Sequence, residues 1–170
     1  MSNEFKQLQP NQLNENTFKL LGTDWAILTA TDRNGLYNGM TISWGGLGFL
    51  WNKPVFTCYI RPQRYTYELA RNADNITLSF FDEKYRSALR LFGAKSGRDL
   101  DKAATAGLTP ITDDAGTYYE EARLVIVGKI LYSDMLKKDA FLDSSLLTHY
   151  QKDDFHRMYI CEISDILTKD

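Results

Sequence analysis

Six consecutive residues, Arg61, Pro62, Gln63, Arg64, Tyr65 and Thr66, place two guanidinium groups, a phenol and a hydroxyl where an apolar strand pattern stops. A guanidinium is a planar fork of donors that matches phosphate oxygens, and hydroxyls fill the remaining positions around such an anion. Pro62 fixes φ and lacks a backbone donor, which stiffens the corner. Residues 66–71 then read as the first turns of a helix, whose unpaired N–H groups favour an anion. The stretch reads as a phosphate cradle. The alternative is a surface corner whose arginines pair with nearby carboxylates, a common and often energetically idle arrangement.

Other constellations carry less. Gly45, Gly46 and Gly48 miss the Gly-x-Gly-x-x-Gly spacing of dinucleotide folds, and residues 49–54 cannot open a long helix. These glycines read as a close approach of backbone to a ligand, or as a bend. Gly93, Lys95, Ser96 and Gly97 look like the end of a P-loop, but Leu89 stands where its first glycine belongs. Lys95 and Ser96 could still offer an ammonium and a hydroxyl to an anion; a solvated turn between two helices is the alternative. His149, Asp153, Asp154 and His156 fit no tetrahedral zinc spacing, and the sequence has no Gly-x-Ser-x-Gly elbow. With so little acid–base machinery, cofactor-borne chemistry is favoured over a side-chain nucleophile.

The bulk properties agree. A chain of 170 residues has the common size of one domain, taken as residues 1–170, and can bury a substantial core. A net charge of −2 gives no global reason to bind nucleic acid or an anionic membrane. Aromatic residues at 13% suit a β-rich core or a pocket for a flat ligand. Cys58 and Cys161, each inside an apolar run, read as buried free thiols in a reducing compartment. Residues 1–6 lack the apolar core of a signal peptide, and no stretch approaches the roughly 18 apolar residues of a membrane span. The expected location is the cytoplasm.

The elements that must hold these residues are mostly strands. The pattern predicts strands over residues 25–31, 40–44, 54–60, 76–81, 121–132 and 156–167, with a turn at 32–35. Helices are expected from about residue 65, over 84–92, over 99–106 with Gly107 as the left-handed terminator, and over 139–149. Residues 11–18 read as a short helix or turn. The fold class is mainly β with helical insertions, a predominantly antiparallel closed or partly closed barrel.

Several segments now fall into an order. They are Asn38-Gly39-Met40-Thr41-Ile42-Ser43-Trp44-Gly45, Lys53-Pro54, the stretch from Tyr59 to Thr66, Gly93 to Asp99, Ala106 to Pro110, and His156 to Ile160. Together, over about residues 20–165, they resemble the flavin reductase-like family of FMN-binding split barrels, the group that includes flavoredoxins. The resemblance implies an FMN-binding split β-barrel, a homodimer with its site near the subunit interface, and NADH or NADPH as electron donor. It implies that Arg61, Arg64, Tyr65 and Thr66 hold the phosphate. Thr41, Ser43 and Trp44, with Ile42 between them and the Gly45 backbone beyond, would line the isoalloxazine. Lys95 and Ser96 would close around the phosphate or ribityl chain, from this subunit or its partner. His156 would lie on the nicotinamide side as the catalytic residue. Strand alternation puts the Thr41 and Ser43 hydroxyls on one face while Ile42 points to the core.

The chain departs from the family pattern twice. Gly39 stands where a threonine is expected, which could widen the site or change the donor that fits. Cys161 stands where a glycine is usual, which could alter the packing of the last strand. The function that the resemblance implies is an NAD(P)H-dependent flavin reductase passing electrons to flavin or a small acceptor. The alternatives are a flavoredoxin-type electron carrier without its own nicotinamide site, and a split barrel that binds another phosphorylated ligand.

Overall fold

Alternating and β-branched apolar runs carry most of the chain into strands. The computed structural model describes residues 4–169, so Met1–Asn3 and Asp170, the ends of the expected domain, lie outside the described residues. The strands are β1 (Lys6–Leu8), β2 (Ala26–Thr31), β3 (Tyr37–Ile42), β4 (Gly45–Leu50), β5 (Lys53–Ile60), β6 (Asn75–Phe80), β7 (Pro110–Asp113), β8 (Gly116–Tyr119), β9 (Leu124–Met135) and β10 (Arg157–Thr168). The α-helices are α1 (Thr17–Lys19), α2 (Tyr65–Ala70), α3 (Arg86–Ala94) and α4 (Lys102–Ala106).

One antiparallel sheet runs in the order β3-β2-β6-β9-β10-β5-β4, with β1 pairing β10 beyond the end of β5. Its two outer strands, β3 and β4, are joined in the chain by Ser43 and Trp44 alone, so the sheet must curl until its edges meet. That makes a barrel with an unpaired seam, and residues 43 and 44 sit in the seam. The interior is filled by Leu28, Met40, Ile42, Phe56, Cys58, Ile60, Leu78, Ile126, Tyr159 and Cys161, among others. Ile27, Val125 and Val127 alternate with these and pack outward against α3, α4 and the β7–β8 hairpin. Strand β2 and residues 124–128 of β9 are therefore covered on both faces, which is why they read as largely apolar runs.

Three parts of the chain differ from the sequence expectations. The strand expected over 40–44 begins at Tyr37 and ends at Ile42, and Gly45–Leu50 is a strand rather than a bend. Glycine-rich β4 shows no apolar alternation, so pairing with β5 across the left-handed pair Trp51 and Asn52 is what makes it a strand. Gly45 packs on that partner so tightly that a Cβ there would lie 2.6 Å from the Thr57 carbonyl oxygen. The helix expected over 139–149 is two 3-10 segments, Lys138–Ala140 and Ser144–Tyr150. The β7–β8 hairpin was not foreseen at all. Elsewhere the expected elements are present with shifted ends: the helix expected over 99–106 starts at Lys102, where Asp101 caps it through the Ala104 N–H and Gly107 ends it at φ 68°, and the strand expected over 121–132 runs Leu124–Met135.

Candidate functional site

Two connected hollows lie where β3, β5 and α2 meet the segment after α3. The first, about 200 Å³, is lined by Met40, Thr41, Ile42, Ser43, Trp44, Tyr59, Arg61, Arg64 and His156. The second, about 170 Å³, is lined by Asn38, Gln63, Arg64, Tyr65, the turn Gly93–Gly97 and Lys102. Arg64 borders both, so they form one groove with an aromatic end and a cationic end.

At the cationic end no carboxylate among the described residues lines the wall. Arg64 immediately precedes α2, and its guanidinium donates to the Phe92 and Gly93 carbonyls at 3.1 and 3.0 Å. These carbonyls belong to the last turn of α3, whose C-terminal dipole favours a cation. Lys102, 5% exposed, donates to the Gly39, Phe92 and Lys95 carbonyls at 2.5, 3.3 and 3.2 Å. Burial, with Arg64 beside it, pushes its ammonium down to about 8. Burial likewise lowers the Arg64 guanidinium. Lys95 is exposed at the rim, and Ser96 accepts from the Arg98 N–H at 3.2 Å. Three cations thus converge with only neutral dipoles to answer them. Such a site is completed by an anion.

At the aromatic end Thr41 and Ser43 both line the hollow while the Ile42 side chain is part of the barrel core. Thr41 donates its hydroxyl proton to the Leu89 carbonyl; the Ser43 hydroxyl has no partner among the described residues. Trp44, released from the sheet at the seam, is 47% exposed. It stands edge-on to His149 and tilted to His156, each with centroids 5.4 Å apart. His156 is pushed down to about 4 by burial and then by the Arg61 charge.

The structure separates the residues expected to hold a phosphate. Arg61 lines the aromatic hollow, not the cationic one, and pairs with Asp154. It also donates to the His149 carbonyl at 2.9 Å and lies 5.2 Å over the Tyr150 ring. Thr66 is fully buried, and its hydroxyl accepts from the Asn38 amide at 2.8 Å. Gly45 lines neither hollow. By contrast Lys95 and Ser96 reach Arg64 and Tyr65 within one chain. Sequence reasoning missed Lys102, Tyr59, Gln63 and Asn38; a lysine in a polar run gives no sign that folding will bury it.

Both departures from the family pattern are packed. A Cβ on Gly39 would meet the Tyr119 hydroxyl and Ile27 at 2.8 Å and Phe92 at 3.0 Å. Gly39 therefore faces the outer core and does not widen the site. Cys161 packs beside Gly128, where a Cβ would come within 2.7 Å of the Cys161 Cβ.

Comparison with known proteins supplies the wider setting. The sequence model described as "Flavin reductase like domain" matches residues 18–170. An FMN-binding domain of a flavin reductases-like enzyme from Shewanella baltica OS155 superposes with a TM-score of 0.70 at 13% identity, covering 99% of this chain and 79% of that one. Flavoredoxin of Desulfovibrio vulgaris (Miyazaki F) gives 0.66 at 22%, covering 97% and 76%. Nitrilotriacetate monooxygenase component B from Bacillus cereus gives 0.66 at 19%, covering 99% and 84%. Comparison with curated proteins returns no significant match. With its sequence matched from residue 18 onward and its open-seamed barrel shared with these structures, the chain belongs to the flavin reductase-like family.

Proposed function

We propose that the groove binds FMN and that the protein is an oxidoreductase taking hydride from NADH or NADPH. The observation that carries this is the cationic hollow: Arg64, Lys95 and Lys102 converge where no carboxylate among the described residues lines the wall. Arg64, Lys95 and Ser96 would hold the phosphate, with Tyr65 beside them, while the buried Lys102 ammonium, its three donors taken by carbonyls, would add positive charge. Thr41, Ser43 and Trp44 would line the ring system, and His156 would face the reductant. The donor set fits, because it is rich in cations and hydroxyls at one end and apolar and aromatic at the other. When bound, FMN supplies reversible acceptance of a hydride or of single electrons.

The chain's own residues do the rest. Ser43 offers an uncommitted hydroxyl, and Thr41, its proton given to Leu89, offers oxygen lone pairs. Trp44, in contact with His149 and His156, supplies an aromatic wall. Arg61 contributes indirectly by fastening the segment that carries His149 and Tyr150. A homodimer is part of the proposal. Edge strand β4 and its turn expose Phe49 (72%) and Trp51 (55%), next to Tyr132 (43%), a surface that a second copy would cover. A cytoplasmic location accords with two free buried cysteines; no helix among the described residues is long and apolar enough to cross a membrane.

Titration of the purified protein into FMN should quench flavin fluorescence, and absence of any affinity would end the proposal. Anaerobic mixing of the loaded protein with NADH and NADPH then decides its second half. Rapid bleaching marks a reductase, whereas bound flavin that stays yellow marks an electron carrier serving a protein partner. Sedimentation should give twice the chain mass.

A further inference from the structure

We infer that Tyr150 is a positioning residue that fixes the neutral ring of His156 with its proton on Nε2, making His156 a hydrogen-bond donor into the groove rather than a proton carrier. This rests on the proposed site but not on the identity of its ligand. The Tyr150 hydroxyl lies 2.8 Å from His156 Nδ1, and both residues are buried, 8% and 7% exposed. Nδ1 is the only partner of that hydroxyl among the described residues. If Nδ1 carried the proton, it would donate to the phenol oxygen and the phenol proton would have no acceptor among the described residues. With the phenol donating, both groups at this contact are satisfied, and the proton of the neutral ring must sit on Nε2.

Nε2 itself has no protein partner, yet it is not among the sealed, unsatisfied polar atoms, so it opens onto the aromatic hollow that His156 lines. The groups facing the ring favour its neutral form. Arg61 stands just past the end of β5, Tyr59 lies 6.4 Å away within β5, and Trp44 and Tyr150 flank it at 5.4 and 5.5 Å. Asp154 alone opposes them, and it is tied to Gln63 and Arg61. The phenol is itself held in place, stacked on Phe155 at 4.7 Å and 19° and capped by Arg61. A ring so fixed presents Nε2–H to an acceptor such as a ligand carbonyl oxygen, the kind of group found on both a flavin and a nicotinamide carboxamide.

The test begins without any ligand. Long-range proton–nitrogen correlation spectra of the uniformly labelled protein at pH 7 report ring tautomers directly. Only two histidines exist, and a His149→Gln variant assigns them. The expected result is a single Nε2–H tautomer for His156, replaced in Tyr150→Phe by a mixture in which Nδ1–H is populated. Tyr150→Phe keeps the ring and its stacking, and circular dichroism checks its fold. An Nδ1–H or doubly protonated ring in the wild type, or an unchanged tautomer in Tyr150→Phe, overturns the inference; if the variant does not fold, the wild-type spectrum decides alone. A second arm uses FMN-loaded protein mixed with NADH. Glutamine can place an amide N–H near the Nε2 position but cannot shuttle a proton. Bleaching should therefore slow about two- to tenfold less in His156→Gln than in His156→Ala, roughly the worth of one hydrogen bond to a neutral acceptor. Equal loss in both variants would make the histidine a proton carrier. A correct tautomer with no FMN affinity would sink the proposed cofactor and leave this inference standing.

Discussion

Arg61 and Arg64 occupy the same corner three residues apart, yet the fold gives them opposite electrostatic surroundings. The Arg61 charge meets a carboxylate, Asp154, and its other donors take the His149 carbonyl, so it fastens a loop. The Arg64 charge meets only carbonyl dipoles at the end of α3, in company with Lys102 and Lys95. One cation is paired within the protein; the other is left without a carboxylate among the described residues. The difference lies in what each faces, because Arg61 projects toward the segment before β10 and Arg64 toward the turn after α3. Two arginines of one short motif thus end in different surroundings, one against a carboxylate and one against carbonyls alone.

The largest expected effect is at Arg64. Arg64→Ala should weaken FMN binding about 10- to 100-fold, the order expected for losing charged hydrogen bonds worth ~1.5–3 kcal/mol. Fluorescence titration measures it, with Arg64→Lys recovering part of the loss because the charge remains and the fork does not. Unchanged affinity in Arg64→Ala would move the phosphate away from this end of the groove.

Lys102 sharpens the same contrast through pH. Its ammonium, pushed down to about 8, is largely charged at pH 7 and largely neutral at pH 9. FMN affinity should therefore fall as pH rises through about 8, by up to roughly tenfold, and Lys102→Met should flatten that slope. Stability runs the other way. The folded protein holds fewer protons than the unfolded chain between about 8 and the ordinary lysine value of 10.5, so the Lys102 contribution to stability improves with rising pH there. A wild-type affinity that is flat from pH 7 to 9 would remove Lys102 from the anion site.

How much of this could be read beforehand follows from the same physics. The barrel strands were legible because their side chains bury on one or both faces, as in β2, β9 and β10. β4 was not, since its Gly45, Gly46 and Gly48 carry no pattern and its pairing with β5 is a long-range decision. The site's chemistry was legible as residue types, and Arg64, Lys95, Ser96, Thr41, Ser43 and His156 do line the groove. Partners were not legible. Nothing local distinguishes Arg61 from Arg64, and nothing marks Thr66 as the acceptor for Asn38 or Lys102 as buried. Those outcomes are set by residues 28 to 93 positions away in the chain.

The smallest effect should be at Arg61, and its smallness is what tests the contrast. Arg61→Gln removes the charge from Asp154 but leaves a donor of similar reach. The ion pair lies near the surface, so its loss should be read as no more than a modest drop in melting temperature. FMN affinity should fall no more than about threefold, well short of the Arg64 variant, because the charge lost was already answered within the protein. The loss should appear instead at His156. Arg61 helps hold that ring below its ordinary value, so the pH at which its resonances titrate should rise in Arg61→Gln. Equal affinity losses in the two arginine variants would mean that Asp154 releases Arg61 when the anion arrives, and the division of labour within the corner would then be a property of the empty groove alone.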